Sequence, residues 1–569
     1  MSSKGKADPN NCLAIYFGTT NSVVYIYKNG NPMVVPAGTY NIQGKALFPS
    51  FVEYTKNGIV VGYPAKMNFG ASDKKVKNKK GTYIKYVVAA VKRVIGLTYA
   101  EYEKLQDKSI FGCEVINGQD GYPRFVIDAE GNTKSPVEVA SEIFKVLKKA
   151  ADEYNNRSYS KAYVTVPANF KDHQCRAIKE AAKLAGLEVL KLITEPTAAA
   201  MSWCFDHPNE IKPGEKLMVY DFGGGTFDVS LLECVRPNQF RILNTGGDPN
   251  LGGNDLDTAL ANYMLDKARA HIEGNEIRMT PRKMNKLRRQ CEIAKIINTK
   301  RCAYDDDEGE FYKKNTKMIE SIDFSEISED LQEIDLTPED LNNAIESYIN
   351  KSVEITENVM TRANLTYGDI KYFLLVGESS HLHLIKQRIK KRFFCAKFHE
   401  IDPEIDPDKA VAKGAVAKGA MSLLINDNTR EGQVEEKISY SYGILSGEDQ
   451  IALILKKGDS IPAYSNEVAF TNTEDNQKTI ETVIYQWDGE PADAPKFVNN
   501  IPLVPLDERC TRIADLSFSN PYPKPKGKQK FAMIFHLDVD GTLEVIYKDK
   551  DHNTELASIS YPAMYGSRL

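Results

Sequence analysis

At 569 residues the chain has room for roughly three or four domains and a large core. Its 42% hydrophobic and 27% charged content is that of an ordinary globular protein, and no apolar run approaches membrane-spanning length. A net charge of −5 speaks against a generic nucleic-acid binder and direct DNA binding. The cysteines are scattered with no Cys-x-x-Cys pair, which reads as free thiols in a reducing compartment rather than a disulfide framework or zinc site. The start, Met1-Ser-Ser-Lys-Gly-Lys, has no apolar signal core. The end, Ser567-Arg568-Leu569, is close to the peroxisomal Ser-Lys-Leu address, a match short enough to arise by chance. A cytoplasmic protein is expected.

In chain order, Leu13–Ile26 predicts a strand, a glycine/threonine turn and a returning strand. Residues 45–70 read as short strands and turns. A basic run, Asp73-Lys-Lys-Val-Lys-Asn-Lys-Lys80, is a solvated loop or a contact for ribosomal RNA or an acidic partner. It precedes a helix-like segment from Val87 to Ile95, in which Lys92 reads as a surface lysine. Pro136–Tyr154 has helical spacing at Val139, Ile143, Val146 and Leu147. Strand Ala162–Val166, helix Gln174–Ala185 and strand Val189–Ile193 follow, an α/β order with crossover connections. Glu195 at that strand end is placed to hold the water shell of a metal, or to cap a helix.

The central stretch, Val219-Tyr-Asp-Phe-Gly-Gly-Gly-Thr-Phe-Asp-Val-Ser-Leu-Leu232, repeats the strand–turn–strand device. Three consecutive glycines let backbone N–H groups approach an anion with no Cβ in the way. Asp221 and Asp228 bracket the turn and Thr226 adds a hydroxyl. Carboxylate, bare donors and hydroxyl suit a polyphosphate with its Mg²⁺; a glycine-rich hairpin without ligand is the alternative. Two such hairpins suggest a duplicated domain gripping one nucleotide between its halves. Superposed, Tyr16 falls where Asp221 stands.

Beyond it, Gly246–Asp257 is turn-rich and leads into helices. In Pro281–Lys300 an apolar stripe forms at Met284, Leu287, Cys291 and Ala294, while Glu292 and Lys295 share a polar face suited to a helical ion pair. Asp305-Asp-Asp-Glu308 reads as an exposed loop. Thr337-Pro-Glu-Asp340 is a helix start, carrying a helix to about Ala363. Strand Tyr372–Val376 then reaches Gly377-Glu-Ser-Ser380, and Asp406–Ala415 opens a last helix. Residues 427–436 are a polar linker between a unit spanning 1–426 and one spanning 437–569. The latter alternates in short runs, Thr482–Trp487, Phe531–Leu537 and Leu543–Tyr547, with Asp488-Gly489 and Asp540-Gly541 turns, and predicts an all-β sandwich.

Tyr220–Asp228, Ile193-Thr-Glu-Pro-Thr-Ala-Ala-Ala200, Val164-Thr-Val-Pro-Ala-Asn-Phe170 and Phe17-Gly-Thr-Thr-Asn-Ser22 resemble, in this order-preserving set, the 70-kilodalton heat-shock chaperones. The resemblance implies an α/β fold: a duplicated actin-like nucleotide-binding domain of two lobes around a cleft, then a substrate-binding β-sandwich, here without a helical lid. It implies ATP or ADP with Mg²⁺, and slow Mg-dependent ATP hydrolysis through Lys92, Glu195, Asp221, Thr226 and Asp228. Asp221, Glu195 and Asp228 would hold the metal through water. The nucleotide would be contacted by Gly18, Thr19, Thr20, Gly223, Gly224, Gly225, Glu292, Lys295, Gly377, Ser379, His381 and Asp408. Implied partners are a J-domain co-chaperone, a nucleotide-exchange factor and unfolded or nascent polypeptide, with the ribosome a further candidate and no membrane.

The chain departs from that pattern at several points. Tyr16 stands where the family has an aspartate that anchors the metal's water shell. Ile296 and His381 stand at the two arginines that stack the base, and Glu378 replaces a glycine beside them. Cys175 replaces an arginine at which the linker docks, and the linker lacks its acid-leucine-leucine-leucine pattern. These departures imply a nucleotide-binding member with weakened hydrolysis and interdomain coupling, similar to the ribosome-associated lidless partner of a J-domain protein. The alternative is a conventional ATP-driven peptide-binding chaperone with a truncated lid; an actin-like structural protein is discouraged by the attached sandwich.

Overall fold

The two glycine-centred stretches close as antiparallel hairpins for one local reason. Each joins two β-branched and aromatic runs, which fit a pleated surface, through residues that suit a tight turn. The first joins strands Cys12–Tyr16 and Asn21–Lys28, the second Lys216–Phe222 and Phe227–Arg236. A computed structural model describes residues 11–28, 31–42, 47–69, 77, 85–105, 107–168, 170–207, 210–236, 239–272, 277–302, 320–325, 327–328, 331–393, 438, 440–447, 449–460, 462–489, 491, 494–498, 501–537 and 543–561.

Each hairpin lies in a mixed sheet, and the two sheets repeat one order. Strand Lys161–Val166 runs parallel to Cys12–Tyr16 and is flanked by Glu188–Thr194. Asn31–Val34 pairs on the far side of the hairpin. In the second sheet Ile370–Val376 runs parallel to Lys216–Phe222, and Gln239–Asp248 pairs on the far side. The repeat is residue-specific. Tyr16 pairs with Val23, and Asp221 pairs with Asp228 across the same span of chain. Tyr16 and Asp221 therefore hold equivalent places, as the superposed sequences suggest.

Helices cover these sheets because their apolar stripes have nowhere else to go. Pro136–Asn155 starts from a Ser135–Glu138 capping box and sends Val139, Ile143, Phe144 and Leu147 into a core shared with Ile15 and Phe17. Helix Asp172–Leu184 lies between the two strands that flank it in sequence. Pro338–Arg362 lies against the second sheet, with Gly253–Arg269 packed on it and Pro281–Cys302 beyond, and Leu256, Leu287, Cys291 and Ile345 are fully buried in one shared core. Met284, expected on the stripe with Leu287, is only partly buried.

From Ser441 onward every described pairing is antiparallel. One sheet runs through Ser441–Ser446, Gln450–Leu455 and Thr479–Trp487; the other through Lys530–Leu537, Leu543–Asp549 and Thr554–Tyr561. Ile480 and Ile484 from the first share a core with Phe531, Phe535, Val545 and Tyr547 from the second, which makes the pair a sandwich.

Two expectations fail. Val87–Ile95 is not a helix: Tyr86–Val88 is a strand paired with Val52–Thr55, and only a short 3₁₀ turn, Val91–Arg93, follows. Ala90 at φ 53 is left-handed, a conformation that stops a helix. Residues 45–70 include a helix, Tyr63–Asn68, whose first turn holds Pro64. The basic run other than Lys77, Asp305–Glu308, Asp408, the linker at 427–436, Asp540-Gly541 and the C-terminal tripeptide lie outside the described residues. Among the described residues no helix is long and apolar enough to cross a membrane, and Cys12, Cys113, Cys175, Cys234, Cys291 and Cys510 are free thiols.

The helix read from Thr337 runs from Pro338 to Arg362, and its cap is complete. The Asp340 N–H donates to Thr337 Oγ1 at 3.1 Å, and Asp340 Oδ2 accepts the Thr337 N–H at 2.9 Å. Burial opposes ionisation of Asp340, yet the bonds from Lys267 and Thr337 win and lower its pKa to about 2. Thr337→Ala should cost about 1 kcal/mol, measured as a lower denaturation midpoint at unchanged m-value.

Candidate functional site

The site begins with backbone. The two turns touch, and a Cβ on Gly224 would stand 2.0 Å from Thr20 Oγ1, one on Gly225 2.4 Å from Thr19 Cγ2. Neither position accepts another residue without the turns separating. Behind them, the N–H groups of Gly253 and Asn254 donate to the carbonyls of Gly223 and Gly224 at 2.9 and 2.8 Å. Ser379 Oγ donates to Gly223 O at 3.0 Å. Gly377 adopts φ 83, and a Cβ there would sit 2.8 Å from Asp221 Oδ1. The first turn is braced by Ser22, which accepts the Gly18 N–H at 3.3 Å, and by Ser50, which donates to Gly18 O at 2.8 Å.

Buried charge surrounds these turns. Lys92 is no surface lysine: its Nζ lies 2.6 Å from Glu195 Oε1, with both side chains 3% exposed. Glu195 opens helix Glu195–Asp206 with its carboxylate on Lys92, so it is not the helix cap. Asp221 and Asp228 face each other across the hairpin ladder and are buried. Burial first, then the charges of Glu195 and Asp228, drives the Asp221 pKa well above the usual carboxylate range. Burial and Glu195 likewise raise Asp228 to about 7, against the pull of Lys92 and the Thr226 hydroxyl. Asp221 Oδ2 and Thr20 Oγ1 are buried without a hydrogen-bond partner among the described residues.

Glu292 and Lys295 do not pair with each other. Lys66 takes Glu292 at 2.9 Å from the far side of a cleft, and Asp257 takes Lys295 at 2.6 Å. Lys295 thereby meets a better-buried acid than its helical neighbour Glu292 would supply. Arg93, Lys66 and Asp257 were not legible as site residues. Arg93 donates Nε to Gly225 O at 2.9 Å and also pairs with Asp255; Thr258 donates to Asp107 at 3.0 Å. Their sequence signal was present only as position, Arg93 beside Lys92 and two aspartates in the turn-rich Gly246–Asp257 stretch. The remaining cleft, lined by Thr19, Thr20, Lys66, Asp257 and Glu292 among others, holds about 60 Å³, room for a few waters. Ile296 is 39% exposed. The side chains of Glu378 and His381 lie outside the described residues.

Cys175 is half-buried on helix Asp172–Leu184. At that helix's start Lys171 Nζ donates to Thr511 Oγ1 of the sandwich at 3.0 Å. A nearby cavity of about 270 Å³ is lined from both parts, by Thr245, Gly246 and Arg362 and by Tyr440, Lys457 and Asp488.

Mixed α/β sheets meeting through glycine turns, with a β-sandwich after them, define the class: an α/β protein with an appended all-β module. The family model described as Hsp70 protein matches residues 12–567, and the chain belongs to that family of ATP-binding chaperones. It is also similar to Chaperone protein DnaK of Buchnera aphidicola subsp. Schizaphis graminum (strain Sg), 29% identical over 554 residues that cover 95% of this chain and 77% of that protein.

The Asp228 shift has a consequence for stability. A carboxyl whose folded pKa is raised costs stability once it ionises, and the cost grows as pH rises from the unfolded value through about 7. Asp228→Asn should therefore raise the melting temperature of nucleotide-free protein at pH 8 by several degrees, the gain fading towards pH 4. Thermal unfolding at the two pH values checks this.

Proposed function

We propose that this chain is an ATP-binding chaperone or co-chaperone that assists unfolded or nascent polypeptides, with weakened ATP hydrolysis and weakened interdomain coupling. In this reading residues 1–426 form an actin-like nucleotide-binding domain of two lobes, and 437–569 a substrate-binding sandwich. J-domain and exchange-factor partners, a cytoplasmic setting and ribosome association belong to the same reading.

The residues fit the ligand. The paired turns at Gly18 and Gly223–Gly225, with the hydroxyls of Thr19 and Thr20, suit phosphates, with the Gly18 N–H given to Ser22 Oγ and the Gly223 N–H to Thr226 O. The orphaned oxygen of Asp221 and the strained acidity of Asp228 suit a hydrated Mg²⁺ approached through Asp221, Glu195 and Asp228. Glu292, Lys295, Gly377, Ser379, His381 and Asp408 would hold the nucleoside. Bound Mg²⁺ supplies neutralisation of phosphate charge; the chain supplies the fixed turns, the buried lysine and exclusion of water.

The single observation that carries weakened hydrolysis is the equivalence of Tyr16 and Asp221 in their ladders. One hairpin retains its carboxylate and the other presents a neutral phenol. Loss of one such electrostatic group is worth about 3 kcal/mol, or about a hundredfold in rate. For coupling, the support is Cys175 at the docking position, where a thiol has no guanidinium fork to offer. Lys171 touches Thr511, so the two parts are in contact beside that position.

Tyr16→Asp should raise single-turnover ATP hydrolysis about tenfold or more, at least ~1.4 kcal/mol in the barrier. Asp221→Asn should abolish what remains. Wild-type turnover that Tyr16→Asp leaves unchanged would defeat the reading.

A further inference from the structure

Tyr16 does more than lack a charge. Its ring folds back over the first turn, so that a Cβ on Gly18 would lie 3.1 Å from both Tyr16 Cε1 and the phenolic oxygen. From there it faces Lys92, whose Nζ stands 5.3 Å from the ring centroid. Phe170 lies on Lys92 as well, at 5.9 Å. With Glu195 at 2.6 Å, the ammonium is held by one carboxylate and two aromatic faces. All three distances fall within the range in which these contacts are attractive, and at 3% exposure water offers the ammonium little alternative.

We propose that Tyr16 is a positioning residue that completes a cage around Lys92 and holds its ammonium on Glu195, away from the terminal phosphate of a bound nucleoside triphosphate. This rests on the nucleotide reading above and deepens it. Of the two cations at the turns, Arg93 is committed to Gly225 O and Asp255, which leaves Lys92, among the described residues, as the side chain to meet a third phosphate. A lysine kept on Glu195 cannot favour a triphosphate over a diphosphate, so the caged site distinguishes ATP from ADP poorly. A ring is what the cage requires; the hydroxyl is dispensable.

The test separates the ring from the missing carboxylate. Calorimetry on the full chain measures the dissociation constants of Mg-ATP and Mg-ADP for wild type, Tyr16→Phe, Tyr16→Leu and the double variant Tyr16→Leu/Lys92→Met. The ratio favouring ATP should be near one in wild type, be retained by Tyr16→Phe, and rise about fivefold in Tyr16→Leu. That rise should vanish in the double variant, because it acts through Lys92. A rise in Tyr16→Phe, or one that survives Lys92→Met, overturns the proposal. Acylation of Lys92 by an amine-reactive ester, followed by mass spectrometry, reads the cage without any nucleotide: Tyr16→Phe should stay as protected as wild type and Tyr16→Leu should react several-fold faster. Equal protection in all three overturns the cage. Absence of nucleotide binding in every variant sinks the nucleotide reading, and the cage then stands or falls on acylation.

Discussion

Two glycine turns are pressed together so closely that no side chain fits between them, and this contact fixes the rest. Gly224 and Gly225 meet the threonines of the first turn, and Gly252 meets the Gly225 backbone, each at a distance that forbids a Cβ. A surface made this way presents backbone and threonine hydroxyls with no larger side chain in the way. The helix after it begins at Gly253, spending its first N–H groups on the carbonyls of the turn and so fixing which way those carbonyls point. Sequence, local geometry and the available chemistry are therefore one constraint.

The charges around the turns are arranged against the protein's own stability. Asp221 and Asp228 sit within reach of Glu195, buried, with one lysine to offset three acids. Ordinary buried acids find a partner; here an Asp221 oxygen has none among the described residues. Unpaired polar groups of this kind persist where another requirement selects them. Across the cleft the opposite holds. Lys66–Glu292, Lys295–Asp257 and Arg93–Asp255 are ion pairs bridging distant parts of the sequence, although burial still raises Asp257 to about 6. On the nucleotide reading proposed above, the turns would be the strained end and the ion pairs the latched end, so entry of a nucleotide with its Mg²⁺ would part pairs at one end while the cation relieves charge at the other.

What could be read from the sequence was local. The hairpins, the α/β order, the Thr337 cap and the alternation of the sandwich strands depend on neighbours a few residues away, and each appears within a residue or a few of its expected place. The equivalence of Tyr16 and Asp221 was legible because it needs only register. Partner choice was not. The polar face shared by Glu292 and Lys295 suggested a pair, yet both turned to residues brought up by the fold, Lys66 from far upstream and Asp257 from the preceding helix. Val87–Ile95 misled for a related reason: its apolar spacing permits a helix, and pairing with Val52–Thr55 overrides it.

Tyr16 shows how a single substitution acts at two levels. Its register position removes a carboxylate from one hairpin, and its aromatic ring adds a contact to Lys92 that a carboxylate would not make in the same way. An aspartate is too short to cover the ammonium and would compete with Glu195 as a second anion; a phenol covers it and leaves Glu195 as its ion-pair partner. The lysine is thereby satisfied by groups of the protein itself, and a satisfied buried cation has less to gain from an incoming phosphate. On the two proposals above, the residue that withholds charge from a metal also lowers the demand for a third phosphate. Both effects favour a site that holds nucleotide over one that turns it over, and both follow from where the ladder of the first hairpin places one side chain.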